Sequence, residues 1–375
     1  MNLRNQKIGI ALSGGGIRAT IYHLGVFKWL AESSLMESVT YISSVSGGSL
    51  CVGLIYAHND KKWPSSRQYL DEVLPRIEEV IMDSDIQISA LLQVFPFWMF
   101  RKVNLLARVI DRKWGVSGIM PELGKTPTWC ANCTTYETGK RFGITQDRMG
   151  DIIIGYADNH EFPISDAMAA SAGFPVLIGP YALRRDRYCW SASGFEPKGQ
   201  RRDSSIPAGC HFHLWDGGVY DNLGLEAFFH ISDSPAGGHL SQGVDYIIVS
   251  NARVSSGFKR RAFSVRVKRL LDIAMDQVGA LRIRSITGHM KQKGNGLYMQ
   301  IGDSASQILR KADLDPAVIR QAIVESLPEH QVEFVKNYQT TLRRPKQADF
   351  RVILRHGYEV ARCVYLAVYG QHDMA

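Results

Sequence analysis

The chain has 375 residues, 45% of them hydrophobic and 21% charged, a globular composition that excludes a disordered, fibrous or low-complexity protein. The formal charge of +8 is uneven. Asn251 to Asn295 holds eleven Lys/Arg and two Asp, so that stretch carries +9 and the remainder −1, which points to an anionic partner, either lipid headgroups or nucleic acid.

In chain order, the first apolar run is Ile8-Gly-Ile-Ala-Leu12, which breaks into Ser13-Gly14-Gly15-Gly16-Ile17-Arg18. Ile17, Ile21, Leu24, Phe27 and Leu30 then follow at helical spacing. A β-branched run, Val39 to Val45, ends at Ser46-Gly47-Gly48. Strand, glycine loop, helix, strand and serine turn make one βαβ unit, with the loop and the serine at the carboxyl ends of parallel strands. Ser49 to Ala57 starts another helix, and Lys61 to Ile110 is mostly helical by pattern. Within it, the aromatic stretch Ala90 to Phe100 with Arg101-Lys102 suits either a membrane edge or a buried helix kinked at Pro96. Gly115 to Met149 is rich in turn formers. Asp151-Ile-Ile-Ile-Gly-Tyr156 reads as a buried strand, and Ile164 to Ala172 as a helix of small residues that breaks at Gly173-Phe-Pro175. Arg184 to Pro207 reads as a surface loop. Cys210 to Trp215 is a strand ending in Asp216-Gly217-Gly218, and Tyr246 to Val249 is another. Val265 to Thr287 predicts a basic amphipathic helix with Leu270, Leu271, Ala274, Val278 and Leu281 on one face. Leu314 to Leu327, Glu329 to Arg343 and Tyr358 to Tyr369 predict three more helices.

Three features carry chemistry. A serine on a sharp strand-to-helix turn exposes its hydroxyl to a base, and the helix that follows adds positive potential. A run of three glycines before a helix offers unhindered N–H donors to an oxyanion or a phosphate. An Asp in a glycine turn at a strand end is free to point into a cleft. Each alone also fits a plain cap or turn. The glycines satisfy G-x-G-x-x-A as well, but a dinucleotide site needs an acid at the end of the next strand, and that strand ends in Ser44-Val45-Ser46.

In combination, Gly-Gly-Gly-x-Arg, Ser-Gly-Gly and Asp-Gly-Gly, each after a strand, resemble the patatin-like phospholipases and the catalytic domain of cytosolic phospholipase A2. The small-residue block Ala167 to Pro175 is similar to the block before the Asp motif in that family. The resemblance lies in residues 7–57 and 164–226. It implies an α/β fold, a three-layer α/β/α sandwich with a mostly parallel central sheet. It also implies one acyl hydrolase domain over residues 1–375, with a helical and aromatic insertion at about 60–149 and a helical C-terminal part at about 305–375. Ser46 is then the nucleophile, Asp216 its base, and Gly14, Gly15 and Gly16 the oxyanion donors. Arg18 either contacts a lipid phosphate or pairs structurally. Ser44 stands where the family has glycine.

The implied activity is phospholipase A-like cleavage of acyl esters through a Ser-Asp dyad, with no metal and no cofactor. Other readings are another lipid ester or lysolipid as substrate, or a lipid-binding protein without turnover. A histidine triad would draw on His23, His211, His213, His230, His239 or, late in the chain, His356. Cys130 and Cys133 have metal-ligand spacing but no second pair. The basic block lacks the aromatic interleaving of a nucleic-acid platform, so the expected partner is a phospholipid surface, with anionic lipids at residues 251–295 and no nucleic acid. Oligomeric state is not readable. The scattered cysteines at 51, 130, 133, 189, 210 and 363, the lack of an N-terminal apolar core in Met1 to Lys7, and the lack of a spanning run point to a cytoplasmic protein with peripheral membrane association.

Overall fold

The computed structural model of the protein describes residues 3–87, 102–173, 179–191, 211–230, 239–254, 266–310 and 312–370. Strand β1 (Ile8–Leu12) leads through the glycine loop into helix α1 (Gly16–Glu32), strand β2 (Val39–Val45) and helix α2 (Gly47–Ala57). Helices α3 (Leu74–Asp83) and α4 (Lys102–Trp114) precede β3 (Thr128–Thr135), β4 (Arg141–Ile144), β5 (Arg148–Asp151) and β6 (Gly155–Asp158). Helix α5 (Ile164–Ser171) leads to β7 (Tyr181–Arg184), β8 (Trp190–Ser191) and β9 (His211–Asp216). Next come the short α6 (Gly218–Asp221), the ribbon β10 (Phe229–His230) and β11 (His239–Leu240), β12 (Tyr246–Asn251), the long α7 (Arg266–Lys293) and β13 (Gly296–Gln300). Helices α8 (Ala305–Leu309), α9 (Pro316–Val324), α10 (Glu329–Asn337) and α11 (Gln347–Tyr369) close the described chain.

The sheet orders as β13-β12-β1-β2-β3 and continues through β4, β5, β6 and β8, while β9 pairs β3 and β7. The first five strands are parallel, and every ladder beyond β3 is antiparallel. The expectation of a mostly parallel sheet therefore describes the half that holds β1 and β2. Strand alternation divides the core between the two faces of that half. Ile8, Ile10 and Leu12 of β1, with Tyr246 and Ile248 of β12, pack with α1, α2 and α11. Ala11, Ile247 and Val249 pack on the other side with Leu223, Phe228, Ile286 and Met290, which completes the three layers.

Two expectations change. Gly115 to Met149 is not mainly turns but supplies β3, β4 and the start of β5. Asp151 to Tyr156 is not one strand. The buried Asp151 carboxylate accepts the N–H groups of Ile153 and Ile154 at 2.8 and 2.7 Å, which folds that apolar run into an exposed hairpin turn. The face of α7 that carries Leu270, Val278 and Leu281 does not pack: its buried side is Met275, Ile286, His289 and Met290. The aromatic stretch 90–100, Pro175 and Cys210 lie outside the described residues. No helix among the described residues is long and apolar enough to cross a membrane.

Candidate active site

Strand β3 organises the site although nothing in its sequence announces it. β4 takes one edge of β3 along Ala131 to Thr134. On the other edge β2 runs parallel to β3 and stops at the Val45–Asn132 pair. Along the same edge β9 arrives antiparallel and stops at the Asp216–Cys133 pair. Two strands thus approach head-on, and their carboxyl ends meet at adjacent residues of β3. Ser46 and Asp216 are the residues at those ends, so the two turns bring the serine hydroxyl and the aspartate carboxyl to neighbouring positions on β3.

Ser46 sits at φ 51°, ψ −116°, a conformation that costs a non-glycine residue on the order of 1–3 kcal/mol and persists only when its surroundings enforce it. A chain of buried hydroxyls does so. The Ser46 N–H donates to Ser171 Oγ at 3.0 Å, and Ser171 Oγ donates to the Asn132 carbonyl at 2.7 Å. With that proton committed, Ser171 accepts from Ser49 at 2.8 Å, and Ser49 accepts from Ser44 at 2.9 Å. Ser44 in turn accepts from Trp129 Nε1 at 2.8 Å. Ser44, the departure from the family pattern, is therefore one link in the brace behind the turn. Ser171 and Ser49 belong to the same brace and carry no sequence signal beyond their place among small residues.

Asp216 is buried and accepts the Gly218 N–H at 2.7 Å. Burial pushes its carboxyl up to about 6, against the pull of the Gly218 N–H, the Ser46 hydroxyl and the Arg253 charge. Its own N–H donates to the Gly173 carbonyl at 2.9 Å, and Thr134 Oγ1 donates to its carbonyl at 3.0 Å. The backbone is thereby pinned to α5 and β3.

The glycine loop lies against the serine turn. A Cβ on Gly14 would stand 3.0 Å from the Ser46 Cβ, and one on Gly47 would stand 2.3 Å from the Gly16 carbonyl oxygen. Only glycine at 47 lets the two backbones approach this closely. The Gly14 N–H, one of the three expected donors, already donates to the Asn222 carbonyl at 3.2 Å. Of the two roles expected of Arg18, structural pairing is the one its contacts display. It is buried, and its guanidinium donates to the carbonyls of Lys336, Tyr338 and Ala252 at 3.0, 2.8 and 3.2 Å. It ties the start of α1 to the end of α10.

Among the described residues no histidine bonds Ser46 or Asp216. His356 accepts the Gly302 N–H at 2.9 Å, and His23 spans Ser250 Oγ and the Ser13 carbonyl at 2.8 and 2.9 Å. Burial lowers both rings to about 4. His213 pairs with Glu137 at 2.7 Å, and His230 and His239 face each other across the β10–β11 ribbon. Cys130 and Cys133, three apart on one strand, pack into cores on opposite faces of the sheet and do not share a metal.

The sequence matches the family model of patatin-like phospholipases over residues 10–229. It is 42% identical over 52 residues to cytosolic phospholipase A2 gamma of Mus musculus, a match covering 14% of this chain and 9% of that protein. It is 41% identical over 64 residues to lysophospholipase 1 of Aspergillus fumigatus, covering 14% and 10%. These matches span about a tenth of the length of the relatives. The fold is similar to that of human GIVD cytosolic phospholipase A2, with TM-score 0.53 and 14% identity over 98% of this chain and 61% of that one. The matched family region runs through the glycine loop, the serine turn and the aspartate turn alike, and the chain belongs to the patatin-like phospholipase family.

Proposed function

We propose that the protein is a serine acyl hydrolase that cleaves fatty-acyl esters of glycerophospholipids. The observation that carries this reading is the convergence of a serine at a strained turn and a buried aspartate at adjacent residues of β3, beside a run of glycine amides. Ser46 Oγ attacks the ester carbonyl while Asp216 takes its proton. A carboxyl raised to about 6 is a better proton acceptor near neutral pH than an ordinary aspartate, yet is still ionised there. The N–H groups of Gly15 and Gly16 hold the oxyanion as the tetrahedral intermediate forms. The intermediate collapses to an acyl-Ser46 ester and expels the lyso-alcohol, which recovers the proton from Asp216. Asp216 then deprotonates the water that releases the fatty acid. No metal or cofactor takes part in this sequence.

The same reading gives α7 a place at a lipid surface. Leu270 and Leu281 are 69% and 59% exposed, Ile273 and Val278 lie with them, and Arg284, Lys291 and Lys293 are exposed on the same helix. An apolar stripe flanked by cations settles into an anionic headgroup layer. The test is fatty-acid release from vesicles of phosphatidylcholine with and without phosphatidylserine. Activity is expected to rise with the anionic lipid, and Leu270→Asp with Leu281→Asp is expected to lower vesicle hydrolysis about tenfold while sparing a monomeric short-chain ester. Equal loss on both substrates defeats the surface role. Release only from lysolipid moves the substrate to lysophospholipids, and no release from any lipid ester defeats the hydrolase reading.

A further inference from the structure

Arg253, beside the site, is left with a terminal guanidinium nitrogen unused. Arg253 follows β12 directly, where the chain leaves the sheet next to the glycine loop. Its neighbour Ala252 is fastened there: the Ala252 N–H donates to Ser13 Oγ at 2.7 Å, and its carbonyl oxygen lies 3.3 Å from where a Cβ on Gly15 would stand. One side of the Arg253 guanidinium is clamped to α7, with Nη2 2.7 Å from Asp276 Oδ1 and donating to the Asp272 carbonyl at 3.4 Å. The other side is not. Nη1 is buried and has no hydrogen-bond partner among the described residues.

A buried donor left unmade costs about 1–3 kcal/mol, and more when the group is charged, so such a group in a native structure calls for a physical reason. Here the reason is supplied by location. Arg253 stands one residue past the Ala252 carbonyl that borders Gly15, and its charge acts on the Asp216 carboxyl. Its fixed fork of donors matches the oxygens of a phosphate. In a glycerophospholipid the phosphate is only a few bonds from the scissile ester, so a group bordering the glycine loop reaches one while the loop holds the other. Arg18, the residue the sequence suggested for this contact, has both Nη groups committed to backbone carbonyls and only its inner Nε unpaired.

We propose that Arg253 binds the anionic phosphate of the substrate through Nη1, while Asp276 holds the guanidinium in register. The proposal rests on the hydrolase reading above. It makes Arg253 the residue that separates phospholipids from neutral acyl esters, since only the former offers an oxygen charge to a donor that is otherwise unpaired.

The test compares kcat/KM for a phosphatidylcholine and for a diacylglycerol with the same acyl chains, both in the same mixed micelles. The variants are Arg253→Gln, Arg253→Lys and Asp276→Asn. In Arg253→Gln the ratio of phospholipid to neutral-ester activity is expected to fall tenfold or more. In Arg253→Lys, which keeps the charge and loses the fork, it is expected to fall several-fold. Asp276→Asn keeps the cation but loosens the clamp that holds its fork, and it is expected to lower the ratio several-fold, less than Arg253→Gln does. A structural role moves both substrates together and leaves the ratio unchanged, and that result overturns the proposal. So does a phenotype in which Arg253→Gln loses only inhibition by the fatty-acid product, which reassigns Nη1 to a carboxylate. Should the Gln variant fail to fold, the Lys variant carries the same comparison. If wild type cleaves neither ester, the hydrolase reading has failed instead.

Discussion

Asp216→Asn is expected to abolish turnover and, at the same time, to make the protein more stable. As a general base Asp216 accounts for roughly 10²–10⁴-fold of rate, and an amide cannot take the Ser46 proton. The fold responds in the opposite direction. Burial raises the Asp216 carboxyl from 3.8 to about 6 in the folded chain, so keeping it ionised at neutral pH costs on the order of 3 kcal/mol. The stability from this raised carboxyl is fully present below pH 3.8 and is lost as pH rises through about 6. Asn keeps an oxygen for the Gly218 N–H and carries no charge. Its melting temperature is therefore expected to exceed that of wild type at pH 8, and the gap is expected to close toward pH 4. Wild-type kcat/KM is expected to rise with pH along a limb centred near 6. An acid limb at the ordinary carboxylate position, or an Asn variant less stable than wild type at pH 8, contradicts this account of the site.

Gly47→Ala is expected to cost both stability and activity. The added methyl would meet the Gly16 carbonyl oxygen at 2.3 Å and the Ala19 Cβ at 2.9 Å. Both neighbours lie at the start of α1, which is held by Arg18 and by the Ile17 N–H bond to the Thr341 carbonyl. Neither yields cheaply, and overpacking of this kind costs typically 1–3 kcal/mol. What yields is the distance between the glycine loop and the serine turn. Displacing one of two oxyanion donors by this much is worth about 10²–10³-fold in kcat. Thermal melting and ester turnover check the two effects. A Gly47→Ala enzyme of wild-type rate would mean that Gly15 and Gly16 do not serve the oxyanion.

The half of the site that precedes residue 57 was legible because each of its parts has a local signature. Apolar runs make β1 and β2, glycines mark the loop, and an isolated Ser-Gly-Gly marks the turn. Asp216 was legible through the alternation of β9 and the glycines after it. The strand between them was not. Thr128 to Thr135 reads Thr-Trp-Cys-Ala-Asn-Cys-Thr-Thr, a strand buried on both faces without an aliphatic run, and its cysteine spacing drew attention to metal chemistry instead. The hydroxyl brace is unreadable for another reason. Ser44, Ser49 and Ser171 acquire their roles from three different elements that meet only in the fold. Asp151 to Tyr156 misled in the reverse sense, because one carboxylate accepting two N–H groups outweighs the strand preference of three isoleucines. The apolar stripe of α7 was found by its period, but periodicity does not say whether a face meets protein, water or lipid.

The most direct measurement is covalent trapping with a fluorophosphonate, followed by mass spectrometry of the labelled peptides. The account predicts one adduct, on Ser46, absent from Ser46→Ala and formed at a rate that climbs as the pH passes 6. An adduct on any other residue, or equal labelling of wild type and Ser46→Ala, would contradict it.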